Sequence, residues 1–259
     1  MATFLFDEII FGPLKSRRLG VSLGINLLPV NGKLCSFDCV YCECGMNDEH
    51  TGGRLPRFQE VIDALKLKLS HMKETGVTPD VITFAGNGEP TLHPDFAKII
   101  DETIELRNQF FPKAKVSVLS NATQIDKPEI HHALLKVDQA ILKLDSAFDE
   151  TIRILNRPTS KAFTVRQLVE KMKTFDGKLI VQTLFVRGVY KSEVFDNTTE
   201  KEVTAWIDLI KEIKPESVMI YAIDRDTPIK SVIKVSLNEL NDIALKVKNA
   251  TGISVSVAG

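Results

Sequence analysis

The sequence lacks several features that would assign it to a common class of protein. Its 259 residues carry 33 Lys and Arg against 34 Asp and Glu, so it has no basic excess to hold nucleic acid by bulk electrostatics. It has no apolar run near the ~20 residues of a membrane-spanning helix. Asp7 and Glu8 lie where a signal peptide would be basic and then apolar. We therefore expect a soluble, cytoplasmic protein with no membrane partner.

Cysteine is also scarce, and its placement is unusual. All four cysteines lie within one ten-residue stretch, from Cys35 to Cys44. Disulfide-stabilised secreted proteins are usually smaller and spread their cysteines along the chain. Thiolates this close together suit one metal centre better than disulfides among themselves. Incidental core cysteines and a redox pair are the alternatives.

The first, second and third cysteines, Cys35, Cys39 and Cys42, form the spacing C-x3-C-x2-C and are called the motif cysteines below. No second C-x2-C or H-x3-H pair accompanies them, so a structural zinc site is not expected. Three thiolates leave one metal vertex open for a ligand. The sequence identifies no catalytic residue beyond the weak candidate Cys44. That thiol is a stray thiol, a redox-sensitive neighbour, a hydrogen-atom donor or a fourth metal ligand.

Short β-rich segments alternate with longer amphipathic segments about six times. The predicted strands are 20–27, 81–85, 115–119, 139–145, 178–186, 217–223 and 253–257. The predicted helices are 57–76, 93–110, 127–137, 164–175, 199–213 and 236–250. Such alternation indicates parallel strands, right-handed crossovers and a sheet covered on both faces. The segments TEKE (199–202) and SLNE (236–239) have the form of capping boxes.

Polar segments follow the carboxyl ends of these strands, where parallel sheets bind ligands. The second strand leads into GNGEP (86–90) and the third into SNAT (120–123). The fourth strand carries Lys143 and Asp145 on one side. Taken singly, these features also fit a turn, a helix cap and a structural ion pair.

Together, these segments resemble the radical SAM superfamily. The motif cysteines match its CxxxCxxC signature, Tyr41 takes the usual aromatic position before the third cysteine, and GNGEP resembles its glycine–glutamate motif. The resemblance implies an α/β fold, a partial (β/α)6 TIM-like barrel of parallel strands. It covers nearly the whole chain and implies a single domain, with an N-terminal extension at 1–19 and a β/α core at 20–259.

The resemblance implies two cofactors. The motif cysteines would hold a [4Fe–4S] cluster whose remaining iron binds S-adenosylmethionine. A one-electron reductant such as flavodoxin or ferredoxin would drive cleavage to a 5′-deoxyadenosyl radical that abstracts hydrogen from a substrate. Glu89 and the backbone of the glycines would hold the methionine amino group. The implied cofactor-binding residues are Tyr41, Gly86, Asn87, Gly88, Glu89, Pro90, Ser120, Asn121, Lys143, Asp145 and Gln182.

A narrower resemblance concerns the substrate. The segments 11–29, GNGEPTLHP (86–94) and LNRP (155–158) resemble a subgroup related to tRNA wyosine-base synthases, which implies RNA or a nucleotide-like molecule. Those synthases carry further cysteines ahead of the main motif, whereas none precedes Cys35 here. Two other functions stay open: an activase that takes hydrogen from a glycine of a partner protein, and a non-enzymatic Fe–S electron carrier whose open vertex is blocked.

Arginines in the strand-end loops are candidates for substrate binding. Arg157, Arg187 and Arg225 follow the fourth, fifth and sixth strands. Guanidinium groups bind phosphate and carboxylate in a bidentate manner, although surface salt bridges explain such residues equally well. The basic run from Lys15 to Arg18 either contacts RNA phosphates or packs against the barrel edge through its apolar stems.

Overall fold

The computed structural model describes residues 4–47, 52–225 and 227–259, which form eleven strands and seven α-helices. The strands are β1 Ile10–Ser16, β2 Gly20–Ile25, β3 Val81–Phe84, β4 Lys115–Ser120, β5 Gln139–Lys143, β6 Ile180–Leu184, β7 Val186–Tyr190, β8 Glu193–Asp196, β9 Ser217–Tyr221, β10 Ile233–Lys234 and β11 Val255–Ala258. The helices are α1 Phe58–Glu74, α2 Phe96–Phe110, α3 Pro128–Lys136, α4 Asp149–Leu155, α5 Val165–Lys173, α6 Glu200–Ile213 and α7 Leu237–Thr251.

Eight strands form one curled sheet in the order β1-β2-β3-β4-β5-β6-β9-β11. Every neighbouring pair from β2 to β11 is parallel. All four residues of β3 are buried, as expected for a strand covered on both faces of its sheet. The sheet is a half-barrel, so the predicted partial TIM-like barrel of parallel strands is confirmed.

The N-terminal edge of the sheet was not predicted. Strand β1 pairs with β2 in an antiparallel hairpin, with Ser16 opposite Gly20. The backbone N–H groups of Arg18 and Leu19 donate to Ser16 Oγ, at 3.3 and 3.2 Å, and this fixes the turn between the two strands. The basic run of the sequence therefore lies on the hairpin and its turn.

The predicted strand 178–186 is in fact divided between two sheets. Its first part is β6, and β7 begins a separate three-stranded sheet in the order β10-β7-β8. Asn197 separates them: its amide donates to Leu184 O at 2.8 Å and its Oδ1 accepts from Val186 N at 2.7 Å. This side chain takes the place of a neighbouring strand, which the hydrophobic pattern of the segment does not reveal. Helix α4 lies between the predicted strand 139–145 and the predicted helix 164–175, where the sequence predicted neither a strand nor a helix.

Helix capping follows the sequence in one place and departs from it in another. Ser236 and Glu239 form the expected capping box of α7. Thr199 caps α6, but Glu202 does not complete a box. The Glu202 carboxylate instead accepts hydrogen bonds from the hydroxyls of Ser146 and Thr151, at 2.6 and 2.5 Å. The predicted capping box at 199–202 is therefore wrong, because a long-range contact uses its glutamate.

The main hydrophobic core lies between the sheet and its helices. Trp206 of α6 is fully buried and donates its indole N–H to Leu144 O at 3.0 Å, just beyond β5. Within the described parts of the chain, no helix has the length and apolarity needed to cross a membrane.

Candidate functional site

A cavity of about 210 Å³, called the central cavity, lies at the carboxyl ends of the parallel strands. The predicted site residues in its wall are Cys35, Cys39, Tyr41, Cys42, Gly86, Gly88, Glu89, Ser120, Asn121, Lys143 and Gln182. Three of the predicted cofactor-binding residues, Asn87, Pro90 and Asp145, are absent from this wall. Arg18 and Tyr221 line it without having been predicted as site residues. In the sequence, Arg18 is marked only by its place in the basic run, and Tyr221 only by its place near the carboxyl end of a predicted strand.

The loop that carries the motif cysteines is fastened to the glycine–glutamate segment by a short parallel bridge. Leu34 N donates to Asn87 O, and Glu89 N donates to Leu34 O, both at 3.0 Å. The side chain of Asn87 donates to Phe6 O at 2.9 Å and Pro29 O at 2.8 Å. Asn87 therefore holds the surrounding loops together, which explains why it does not face the cavity.

Gly88 is required for this bridge. Its φ of +136° is unfavourable for other residues, and an added Cβ would lie 1.9 Å from Leu34 O. We expect Gly88→Ala to cost about 3 kcal/mol and to lower Tm by roughly 6–12 °C in a thermal unfolding experiment. Gly76→Ala is the matched control, because Gly76 has φ +74° with nothing within 4 Å of its added Cβ. Equal losses in the two variants would contradict a specific role of the bridge.

The motif cysteines lie among N–H donors. Asn156 Nδ2 is 3.4 Å from Cys39 Sγ, and Asn121 Nδ2 is 3.5 Å from Cys35 Sγ. Lys33 is buried and donates from Nζ to Gly45 O at 2.6 Å. Burial lowers the pKa of Lys33, but the negative charge of the cysteine sulfurs outweighs it and raises that pKa above its usual value. The N–H contacts and the charge of Lys33 favour thiolate sulfur, whereas burial opposes it.

The four thiols differ in acidity. Burial raises the pKa of Cys35 and raises that of Cys39 to about 11. The hydrogen bond from Cys44 lowers the pKa of Cys42 to about 6, with help from the charge of Lys33. The pKa of Cys44 is raised by the same hydrogen bond and by burial. Cys42 is therefore the thiol that is ionised at neutral pH in the metal-free protein.

This difference predicts selective alkylation. A thiolate reacts and a thiol does not, so iodoacetamide at pH 7 should modify Cys42 of the metal-free protein before Cys39. The rate at Cys42 should rise as pH increases through about 6 and then level off. Peptide mass spectrometry at a series of pH values measures this. The hydrogen bond from Cys44 stabilises the Cys42 thiolate, and Cys44→Ala removes it. In that variant the alkylation rate at Cys42 should therefore rise at a higher pH than in the wild type. Equal rates at Cys39 and Cys42 would contradict the assignment.

The donor set fits an iron–sulfur cluster. No three His, Cys, Asp or Glu side chains among residues 4–47, 52–225 and 227–259 converge to hold a single metal ion. A [4Fe–4S] cluster instead takes its thiolates on different iron atoms, so its cysteines surround a volume and do not meet at a point. The motif cysteines surround one cavity, and their sulfurs accept N–H contacts of the kind that tune such clusters.

Glu89 is a buried carboxylate at the opening of a short 3₁₀ turn. Its Oε1 accepts from Thr91 N at 3.1 Å, Thr91 Oγ1 at 2.5 Å and Ser120 Oγ at 2.8 Å. Its Oε2 accepts only from Asn121 N, at 2.6 Å, among the described residues. Burial raises the pKa of Glu89, and these hydrogen bonds oppose the rise. Because each carboxylate oxygen has two acceptor sites, Oε2 keeps capacity for a cationic ligand.

Lys143 and Asp145 form the ion pair that the sequence offered as one interpretation. Their side chains are 3.5 Å apart. The Tyr41 hydroxyl donates to Asp145 in a short hydrogen bond and accepts from Lys143 Nζ at 3.0 Å. Asn156 Nδ2 also donates to Asp145, at 2.7 Å. Asp145 thus fixes Tyr41 and Lys143, which line the cavity, without lining it itself.

The three predicted substrate arginines lie outside the central cavity and have acidic partners. Arg157 is 3.3 Å from Asp38, and Arg225 is 3.1 Å from Glu43. Arg187 pairs with two acids on β8 and α7. The alternative of surface salt bridges is therefore present in the structure for each arginine. Their role in substrate binding stays a prediction.

The sequence pattern of the radical SAM superfamily matches residues 32–196, more than half of the chain. This chain belongs to the radical SAM superfamily. Membership of this superfamily supports enzymatic radical chemistry that depends on S-adenosylmethionine.

Several bacterial proteins are similar in sequence to this radical SAM enzyme. It is 30% identical over 239 residues to a UPF0026 protein of Helicobacter pylori J99, covering 90% of this chain and 71% of the relative. It is 31% identical to a Brachyspira hyodysenteriae protein named GTPase Obg, over 84% of this chain but only 30% of that protein's length. Over 120 residues it is 32% identical to an S-adenosylmethionine-dependent nucleotide dehydratase of Selenomonas ruminantium, covering 46% of this chain and 38% of the relative.

Solved structures share the fold. A radical SAM methyltransferase from Sphaerobacter thermophilus has a TM-score of 0.67 at 14% identity, covering 91% of this chain and 65% of that one. TYW1 with a lysine–pyruvate adduct bound has a TM-score of 0.62 at 12% identity, and the match covers 89% of this chain and 74% of TYW1. The second likeness agrees, at the level of the fold, with the resemblance to wyosine synthases.

Proposed function

We propose that this enzyme holds a [4Fe–4S] cluster on the motif cysteines and binds S-adenosylmethionine beside it in the central cavity. The bound cofactors, given one electron by a reductant such as flavodoxin or ferredoxin, supply a 5′-deoxyadenosyl radical that takes hydrogen from the substrate. The observation that carries this proposal is that the motif cysteines and Glu89, from loops after β2 and β3, line one cavity.

The side chains around this cavity have distinct tasks in the proposal. Glu89 receives the methionine ammonium on Oε2, the oxygen with acceptor capacity left. Gly86 and Gly88 place loop backbone in the adjacent wall, and they can do so because they lack a Cβ, which would lie 2.4 Å from Asn26 Oδ1 and 1.9 Å from Leu34 O, respectively. Tyr41 and Lys143 are held by Asp145, so they form a rigid wall at the adenosine side. Ser120, Asn121 and Gln182 supply polar groups for the ribose and the methionine carboxylate.

The electron-carrier alternative needs Cys44 as a fourth cluster ligand. Cys44 is absent from the wall of the central cavity and lines a neighbouring one, and its sulfur lies 3.6 Å from Gly86 O. This placement favours three thiolate ligands and an open vertex. We also propose that residues 1–259 act as one radical SAM domain, since β1 extends the same sheet as the core strands.

For the substrate we propose a nucleotide-like molecule. The similarity to the nucleotide dehydratase over 120 residues supports it, as do the segments that resemble wyosine synthases.

The experiment is anaerobic reconstitution of the cluster, reduction, and chromatography for 5′-deoxyadenosine. We expect cleavage of S-adenosylmethionine, and deuterium from a labelled nucleotide substrate should appear in the 5′-deoxyadenosine. A full cluster with a strong reductant and no cleavage would overturn the radical function. Cleavage without deuterium transfer from any nucleotide would overturn the substrate class alone.

A further inference from the structure

We propose that Arg18 binds a phosphate group of the substrate at the edge of the central cavity. The proposal rests on the function above, because it assigns part of the same site to the nucleotide-like substrate. Arg18 lies in the turn of the β1–β2 hairpin, outside the cysteine and glycine–glutamate motifs.

Three cavities meet at Arg18. It lines the central cavity, a second cavity of about 230 Å³ beside Arg225, and a third of about 310 Å³ along the β1–β2 hairpin. Tyr41 and Tyr221 are shared by the first and second cavities, whereas Gly86 is shared by the first and third. Arg18 therefore lies at the border between the cofactor residues and the space left for another molecule.

The guanidinium of Arg18 has a donor without an acceptor. Its Nη1 is buried and has no hydrogen-bond partner. No carboxylate of residues 4–47, 52–225 or 227–259 forms a salt bridge with it, whereas Arg17 pairs with Asp224 at 3.2 Å. Leaving a buried charged donor unsatisfied is costly. The guanidinium therefore has no acidic partner in the described chain, and its charge stays available to an anionic group from outside the chain.

The shape of the site suits an oxyanion. The guanidinium carbon of Arg18 is 4.3 Å from the centroid of the Tyr221 ring, a cation–π contact that limits the positions open to the guanidinium. Ser16 Oγ accepts from Arg18 N at 3.3 Å and holds the turn beneath it. A fixed guanidinium offers parallel N–H donors to two oxygens of one phosphate. The loss of side-chain entropy on binding is correspondingly small.

The methionine carboxylate of S-adenosylmethionine is the other anion near this cavity. Glu89, to which we assign the methionine amino group, lines only the central cavity of the three, whereas Arg18 lines all of them. The methionine carboxylate is attached to the same carbon as that amino group. Of the residues assigned to methionine, Glu89, Ser120, Asn121 and Gln182 line neither neighbouring cavity, and Gly86 lines only the third. This favours the substrate as the ligand of Arg18.

Calorimetry on the cluster-loaded protein saturated with S-adenosylmethionine, without reductant, tests this assignment. The probe is inorganic pyrophosphate, which carries phosphate oxygens but no base. Arg18→Gln should weaken pyrophosphate binding about 10- to 100-fold, and Arg18→Lys should recover part of the loss. Arg17→Gln is the matched control, because it removes an arginine already paired with Asp224. It should change the affinity less than about 3-fold.

Three results would overturn the proposal. They are no pyrophosphate binding by the wild type, equal losses in the two glutamine variants, and a loss of S-adenosylmethionine affinity in Arg18→Gln with pyrophosphate affinity retained. The last would assign Arg18 to the methionine carboxylate. The cleavage assay of the proposed function is separate. If pyrophosphate binds through Arg18 but the wild type does not cleave S-adenosylmethionine, only the proposed function is overturned. If the wild type cleaves S-adenosylmethionine but pyrophosphate binding does not depend on Arg18, only this inference is overturned.

Discussion

Replacing Cys39 with alanine should prevent cluster assembly and reduce S-adenosylmethionine cleavage to background, whereas Cys44→Ala should retain both. Cys39 lines the central cavity and its sulfur lies 3.4 Å from Asn156 Nδ2. A cluster that loses one of three protein thiolates finds no further cysteine in that wall. Cys44 lines a neighbouring cavity, so its removal leaves the three ligands in place. Iron and sulfide analysis, with absorption spectra after anaerobic reconstitution, measures the difference.

The comparison is well matched because both residues are buried cysteines in one loop. Each substitution makes the same chemical change, the loss of one thiol from a buried cysteine. Thermal unfolding of the metal-free variants separates a folding defect from the loss of a cluster ligand. Retention of the cluster in Cys39→Ala with loss in Cys44→Ala would reassign the ligands. Loss in both variants would favour a cluster with four cysteine ligands, and with it the electron carrier.

The order of the parallel strands was predictable because it follows the order of the chain. Each of the seven predicted strands overlaps an observed strand of the main sheet, and the polar segments after them converge as parallel topology requires. What was missed depends on single long-range contacts. Asn197 ends the sheet pairing of the segment 178–186, and Glu202 leaves its helix cap for two distant hydroxyls. Such contacts leave no periodic pattern in the sequence.

The motifs themselves combine residues that face the cofactors with residues that position them. Within GNGEP, Glu89 lines the central cavity, but Asn87 ties two loops together through Phe6 and Pro29. Asp145 likewise positions Tyr41 by accepting a hydrogen bond from its hydroxyl, although Asp145 does not line the cavity itself. A motif read from the sequence cannot separate these tasks, because both kinds of residue are polar and adjacent in the chain. Arg18 shows the converse, since it reaches the central cavity from the hairpin turn at the amino end of β2, outside the cysteine and glycine–glutamate motifs.

Glu89→Gln should weaken the binding of S-adenosylmethionine by roughly 100-fold while the cluster remains. The substitution removes the negative charge that faces the methionine ammonium, and a charged hydrogen bond of this kind contributes up to about 3 kcal/mol. It keeps the shape of the side chain, although the amide nitrogen then meets one N–H donor, either Thr91 N or Asn121 N, depending on which oxygen it replaces. Glu60→Gln on α1 is the control, because Glu60 pairs with Arg54 at the surface.

The pH dependence of binding distinguishes a charge effect from a structural one. Burial raises the pKa of Glu89, so its carboxylate is protonated at a higher pH than an ordinary glutamate. Wild-type affinity should therefore be full above that pKa and fall as the pH is lowered through it, whereas the Glu89→Gln affinity should lack this decline. Calorimetry across a pH series, with iron content measured in parallel, tests both statements. If Glu89→Gln binds S-adenosylmethionine as tightly as Glu60→Gln does, Glu89 does not bind the methionine ammonium. Loss of the cluster together with the affinity would instead make Glu89 a structural support of the cysteine loop, to which it is joined through Leu34.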